Sequence, residues 1–414
     1  MYAPSWGYGG PVRMFFDYAR WMSREFDVVV LTGDVHHDGS HIPNSEVEGV
    51  EVRRNRVFLP QLTKRSIYLL SPRMFLEAAR RIHSAPGPVI VHFYEVRGVV
   101  PLYALLLKVV FRDRVTLVHS AFGSLHYKPS FRRKLHDALF MKGFVKLVRI
   151  GLVQNEHERD TYDSLCIEHG DYDKPQVVLL PLHLDELPCD PDRYGDSGKN
   201  QRAVRETRKA HSIPEHALVF LFLGRLHPAK GLVRLVDAFL EFSRSGTGNE
   251  LLVIVGRDDG FQSALQDYIA SRGASDRIRI VNNVYEGRFD YYFLADIFLG
   301  FPTIFEETML SSVEALACGT PLVVSREADI PFVAEQSAGM VIDFDVPTAA
   351  AAMANVRDNL ATFQRNARRV AARHFTGKQA AMRLSSILGA AGDSVGVESE
   401  GLSAERLPHR RSPR

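Results

Sequence analysis

The chain has only three cysteines, Cys166, Cys189 and Cys318, in 414 residues. Their spacing is neither paired nor metal-like, which excludes a disulfide scaffold and a zinc module and points to a reducing compartment. Long hydrophobic runs are missing as well. The best stretch, Val99 to Phe111, is interrupted by Lys108 and reads as a core helix rather than a membrane span. With no secretory leader visible, a soluble cytoplasmic protein is expected, with peripheral attachment to the inner face of the plasma membrane as an option. Charge of one sign is not in excess either: the formal net charge is +2, far from the basic surplus that a nucleic-acid partner requires.

The chain also has little in front of its first helix. Gly7-Tyr8-Gly9-Gly10-Pro11 opens a helical pattern running from about Val12 to Arg24. In an α/β domain such a glycine loop follows a strand, and the residues before it are too few to form one. The N-terminal sheet is therefore expected to lack its first strand.

What is present is an alternation of strand and helix patterns. Val50 to Arg53, Val57 to Leu59, Val89 to Phe93, Val115 to Val118, Arg149 to Gln154 and Gln176 to Leu180 read as strands of one α/β domain, 1–185. A connector rich in Pro, Gly and charge follows at 186–211. A second α/β domain, 212–375, has strands at Leu218 to Leu223, Leu251 to Val255, Ile278 to Val281, Ile297 to Phe301 and Pro321 to Ser325. Thr348 is placed to cap a helix reaching Ala371, and Thr376 a final helix over 376–391. The remainder, 392–414, has the composition of a disordered tail. The fold expected is α/β, with two Rossmann-like doubly wound domains facing a central cleft.

The segment 131–149 carries Arg132, Arg133, Lys134, Lys142, Lys146 and Arg149 among Leu135, Leu139, Phe140, Phe144 and Leu147. Its plainer reading, and the preferred one, is a surface helix with its apolar stripe on the core. The sharper reading is attraction to an anionic membrane surface.

The chemistry concentrates in Ile297 to Ser325. Glu306 falls in a loop at the carboxyl end of a strand, and Glu314 lies inside the next helix. Between them the backbone amides near Met309, Leu310 and Ser311 open that helix, where an anion is favoured. An anion seat flanked by two carboxylates suits a phosphate between hydroxyl-bearing rings, as in a nucleotide sugar. Arg225 and Lys230 stand in another strand–helix junction, Gly224 to Gly231. Alone they read as solvated turn charges; beside Glu306 and Glu314, diphosphate binding is the better reading.

Gly224-Arg225-Leu226 with Lys230-Gly231, Val255-Gly256, and Glu306 to Glu314 followed by Ala315-Leu316-Ala317-Cys318-Gly319-Thr320-Pro321 resemble the pattern of glycosyltransferase family 4, the group 1 type. The resemblance spans nearly the whole chain, including Gly9-Gly10 and Asp329-Ile330-Pro331. It implies the GT-B architecture and retaining transfer from a nucleoside-diphosphate sugar, with no metal and no cofactor besides the donor itself. It implies a glycan or lipid-linked acceptor and a place in cell-surface polysaccharide synthesis. By position, Glu306 would contact the transferred sugar, Glu314 the ribose, and Arg225 and Lys230 the diphosphate. Amides at Met309 to Ser311 would assist, with Gly256 also on the donor side and Gly10 letting the N-terminal, acceptor-side domain approach closely. His119 matches a histidine that relatives often place near the reacting sugar. Two departures bear on donor choice: Ser120 where relatives often have glycine, and Glu306-Glu307-Thr308-Met309 where they usually read Glu-Gly-Phe-Gly.

Two other classes of function stay open at this point. One is a GT-B nucleotide-sugar epimerase; the other is a non-catalytic sugar-nucleotide binding protein or an inactive truncated product. Weaker constellations read as surface features: Asp171-Tyr172-Asp173, Asp343-Phe344-Asp345, His36, His37 and His41 with Asp34 and Asp38, His126, and Glu156 with Glu158.

Overall fold

The computed structural model describes residues 2–3, 10–36, 40–43, 45–58, 70–125, 131–169, 175–185, 198–246, 248–282, 287–306, 309–328 and 330–393. Gly9, His37, Asp38, His126, Asp171 to Asp173, Cys189, Glu307, Thr308, Asp329, the connector's first part and the tail from 394 lie outside them.

The N-terminal domain opens with α1 (Gly10–Met22), β1 (Val29–Gly33), β2 (Ser45–Val47), β3 (Val50–Asn55) and α2 (Pro72–Ser84). It continues as β4 (Val89–Tyr94), α3 (Val99–Phe111), β5 (Val115–Ser120), α4 (Phe131–Leu147), β6 (Val148–Val153), α5 (Glu156–Glu168) and β7 (Gln176–Leu179). Apolar, β-branched runs bounded by helices make parallel strands covered on both faces, and β4-β5-β6-β7 is such a sheet. The expected single sheet is nevertheless divided. β1, β3 and β2 form their own sheet, β1 parallel and β2 antiparallel to β3. β1 and β4 each keep one edge without a strand partner among the described residues. Their residues are correspondingly mostly half-buried, whereas β5, paired on both sides, is buried throughout. Val57 and Phe58, expected in a strand, lie in a loop.

Part of the expected connector is a helix, α6 (Gly198–Ala210), with so little apolar content that it reads as a linker. It is followed by β8 (Leu218–Leu223), α7 (Leu232–Arg244), β9 (Glu250–Gly256), α8 (Gln262–Ser271), β10 (Ile278–Asn282) and α9 (Arg288–Leu294). Next come β11 (Ile297–Gly300), α10 (Leu310–Ala317), β12 (Leu322–Ser325), β13 (Gly339–Ile342), α11 (Val346–Asp358), α12 (Leu360–His374) and α13 (Gly377–Asp393). α6 packs on α9. One helix expected over 348–371 is two, parted at Asn359. Asp345 rather than Thr348 caps the first, accepting from the Thr348 amide at 2.8 Å. Thr376 does cap α13, accepting from the Gln379 amide at 3.3 Å, and α13 runs on to Asp393.

All six strands of the C-terminal sheet are parallel, in the order β10-β9-β8-β11-β12-β13. From β8 the chain winds outward to β10, then returns to lay β11 against the other side of β8. That reversal opens a crevice beyond the carboxyl ends of β8 and β11, the place where open α/β sheets bind ligands. The domains share one apolar core, in which Met14, Trp21 and Ile150 join Val253, Phe298, Leu316 and Phe375. Where the chain crosses between them, the Leu184 amide donates to the Phe375 carbonyl (2.8 Å) and the Gly377 amide to that of Leu184 (2.7 Å). α13 then packs back on α1 and β4.

Candidate active site in the C-terminal crevice

A cleft of about 320 Å³ fills that crevice, within the usual range for small-molecule sites of roughly 300–1,000 Å³. β8 and its turn contribute Gly224, Arg225 and Lys230. The loop and helix after β11 contribute Glu306, Met309, Leu310, Ser311 and Glu314, and α9 adds Arg288.

Local geometry explains why these meet. Gly231 has φ +66°, and a Cβ there would collide with the Phe301 carbonyl. Only glycine lets the Pro228–Lys230 turn press onto the end of β11. The Thr303 amide clips it there, donating to the Ala229 carbonyl at 2.9 Å. Lys230 is thereby carried to Glu306, with which it forms an ion pair. The Glu306 amide donates to the Glu327 carbonyl at 2.7 Å, fixing the loop from its other side. Arg225 is more exposed and pairs with Asp259 at 2.6 Å.

Glu314 is buried, and both its oxygens are engaged. Arg288 reaches Oε1 through Nε (2.9 Å) and Nη2 (2.8 Å), while the Tyr292 hydroxyl donates to Oε2 at 2.8 Å. Burial, followed by the Glu314 charge, keeps that hydroxyl protonated by raising its pKa. Arg288 was not singled out from the sequence, where it is one arginine after a glycine; only the placement of α9 beside α10 brings it to Glu314.

Two expected site residues, His119 and Gly256, do not line this cleft among the described residues. His119 is fully buried against Phe144, Phe93 and Tyr162, with ring centroids 5.0, 5.4 and 5.7 Å away. The cause is strand alternation: Leu117, His119 and Ala121 face the core under α3 and α4, whereas Ser120 points the other way and bonds His92 at 2.8 Å. Burial lowers the His119 pKa to about 3, so the ring is neutral near pH 7. Gly256 serves backbone packing, because a Cβ there would strike the Gly224 carbonyl. Gly10 opens α1.

Other charged residues resolve into structural roles. Glu158, read from sequence as exposed, is buried and accepts from the amides of Gly123 and Gln154, which orders the loop after β5. Glu156 pairs with Arg159 on the surface. Asp343 pairs with Arg326, Asp345 is a helix cap, and Asp34 accepts from the Val57 amide and contacts His41.

One acidic residue escaped the sequence reading altogether. Glu95, just past β4, is buried at φ +73°, and its Oε1 has no hydrogen-bond partner among the described residues. Burial pushes its pKa up to about 8. The folded chain then holds a proton that the unfolded chain releases near 4.5, so stability falls as pH rises through this interval. His92 and His119, both lowered to about 3 by burial, act oppositely and only below about pH 6.5. Urea unfolding between pH 6.5 and 8 is therefore expected to show wild type losing roughly 2 kcal/mol relative to Glu95→Gln; parallel curves would refute the assignment.

Residues 203–366, which include every residue lining the cleft, match the family model described as Glycosyl transferases group 1. Anabaena Alr3699/HepE, solved in complex with UDP, is similar at a TM-score of 0.64 over 92% of this chain and 96% of that one, with 16% identity. The fold is GT-B. Among curated relatives, a D-inositol 3-phosphate glycosyltransferase from Corynebacterium efficiens is 32% identical over 183 residues, 43% of this chain and 41% of that protein. D-inositol 3-phosphate glycosyltransferase 2 from Catenulispora acidiphila is 34% identical over 241 residues, 54% of this chain and 55% of that protein. The chain thus spans about half the length of these relatives. In the GT-B frame, the cleft belongs to the C-terminal domain. The N-terminal domain meets its rim where His157 stacks on Phe305, next to Glu306, at 3.4 Å between centroids. Among the described residues no helix is long and apolar enough to cross a membrane.

Proposed function

We propose that the chain is a retaining glycosyltransferase that moves a sugar from a nucleoside diphosphate to a glycan or lipid-linked acceptor, in the synthesis of cell-surface polysaccharide. The observation that carries this reading is the convergence, at the β8/β11 crevice, of three cations and two carboxylates on the amino end of α10. Arg225 and Lys230 flank the place where a diphosphate would lie. The amino end of α10, at Leu310 and Ser311, adds partial positive charge there. As the glycosidic bond breaks, charge builds on the leaving diphosphate, and fixed donors of this kind lower the barrier without a metal or a strong base. Glu306 accepts from the transferred sugar, and Glu314 from the ribose.

Donor binding on this reading is an exchange of ion pairs. Glu306 and Glu314 are both held by cations of the same cleft, so the sugar and ribose hydroxyls take over acceptor oxygens as Lys230 and Arg288 turn to the diphosphate. The test is a thermal-shift screen of nucleotide sugars followed by transfer assays, with inositol phosphate among the acceptors because of the named relatives. A ligand held at 100 times its Kd adds about 2.7 kcal/mol to stability, and Arg288→Ala is expected to remove most of the shift. No shift with any nucleotide sugar would sink the reading. Isomerisation of the free donor would favour an epimerase instead.

A further inference from the structure

α4 lies only in part as its apolar pattern suggested. Met141, Phe144 and Val145 face the core, but Phe131 is 81% exposed, Leu135 52% and Leu139 65%. These three recur every fourth residue and share one outward stripe with Lys134, Lys142 and Lys146, all exposed. The neighbouring helix repeats the feature, with Leu106, Val109 and Val110 also exposed.

The two stripes belong to one surface. α3 links β4 to β5 and α4 links β5 to β6, in a sheet whose strands are adjacent in that order. Two successive right-handed crossovers put both helices on the same face of the sheet, and α3 and α4 pack against each other. Their outer sides therefore point the same way and form a joint apolar face larger than either helix offers alone. Exposed apolar area of this kind, rimmed by charge, marks an interaction site.

We propose that this face docks on an anionic lipid bilayer. Charge selects the occupant. Over 131–149 there are six lysines and arginines and a single acid, Asp137, and that acid is held by Arg97 at 2.8 Å. A second copy meeting the patch across a two-fold axis would set these lysines against the same lysines, which is repulsive. An anionic bilayer takes both parts of the pattern at once: apolar side chains enter the headgroup boundary while flanking lysines stay with the phosphates. The proposal is independent of the donor chemistry in the cleft.

The test is co-sedimentation of the full chain with vesicles of phosphatidylcholine alone or with phosphatidylglycerol added. Binding is expected only to the anionic vesicles and is expected to weaken in high salt. Lys142→Gln with Lys146→Gln should lower the partition coefficient about 25-fold, each lysine near such a surface being worth about a five-fold factor. Leu135→Glu with Leu139→Glu should abolish binding; because both residues are exposed, the melting temperature stays put and reports intact folding. Equal binding to neutral vesicles, no binding at all, or binding that survives both double variants would overturn the proposal. So would light scattering that shows a dimer split by the leucine variants, which would make the face a contact between copies.

Discussion

Glu306→Ala is expected to lower the rate of sugar transfer by roughly 10²–10³-fold, the range typical for removing one group that stabilises a reacting centre. Nucleotide binding, judged by thermal shift, should largely survive. On the proposed reading Glu306 contacts the sugar, while Glu314, Arg225 and the amides of α10 are left in place around the cleft. The variant also leaves Lys230 without its carboxylate partner. Since both side chains keep some contact with solvent, the stability cost should stay within about 1 kcal/mol. Glu306→Gln separates charge from shape: it preserves the side chain's size and one acceptor oxygen while removing the negative charge. A turnover number for Glu306→Ala equal to wild type would show that this carboxylate does not act on the sugar.

Gly231→Ala acts on the same site through the backbone. At φ +66° an alanine is strained, and its Cβ is directed at the Phe301 carbonyl, which belongs to the end of β11 and cannot turn aside as a flexible side chain could. The expected loss is about 3 kcal/mol, which for a domain of this size is a fall of roughly 6–12 °C in melting temperature. Function should suffer beyond stability. Relief of the clash pushes the Pro228–Lys230 turn away from β11, and Lys230 leaves Glu306 with it. Donor affinity measured well below the melting temperature should therefore fall too. Wild-type stability together with wild-type donor binding would contradict this account of the turn.

Much of the C-terminal domain was legible because its strands are short apolar runs punctuated by glycine and proline, a signal that depends only on neighbours in the chain. The motif around Lys230 and Gly231 and the unit from Glu306 to Glu314 carried the site in the same way. α6 stayed hidden, since a helix with few apolar residues shows no periodicity and is stabilised by packing on α9. α4 was legible only in part, for the opposite reason: Phe144 and Leu147 pack on the core as expected, whereas Leu135, Leu139 and Phe140 face outward. Its apolar residues occupy more than one face, and periodicity alone could not say which of them the sheet would cover. His119 was placed by resemblance, and strand alternation sent its ring into the core. Glu95 gave no signal at all, because its burial and its positive φ arise from the loop it ends up in.

By itself, then, the sequence determined an α/β chain and the identity of most residues that line its C-terminal cleft, because strand patterns, glycine turns and helix starts are local properties. The tertiary structure alone decided which strand ends become neighbours. Nothing local to Arg225 or Glu306 says that β8 and β11 pair, or that Arg288 will reach across to Glu314. The tertiary structure also decided which apolar residues face outward on α3 and α4. Such choices depend on how segments distant in sequence share a limited buried volume, and a chain read residue by residue does not contain that volume.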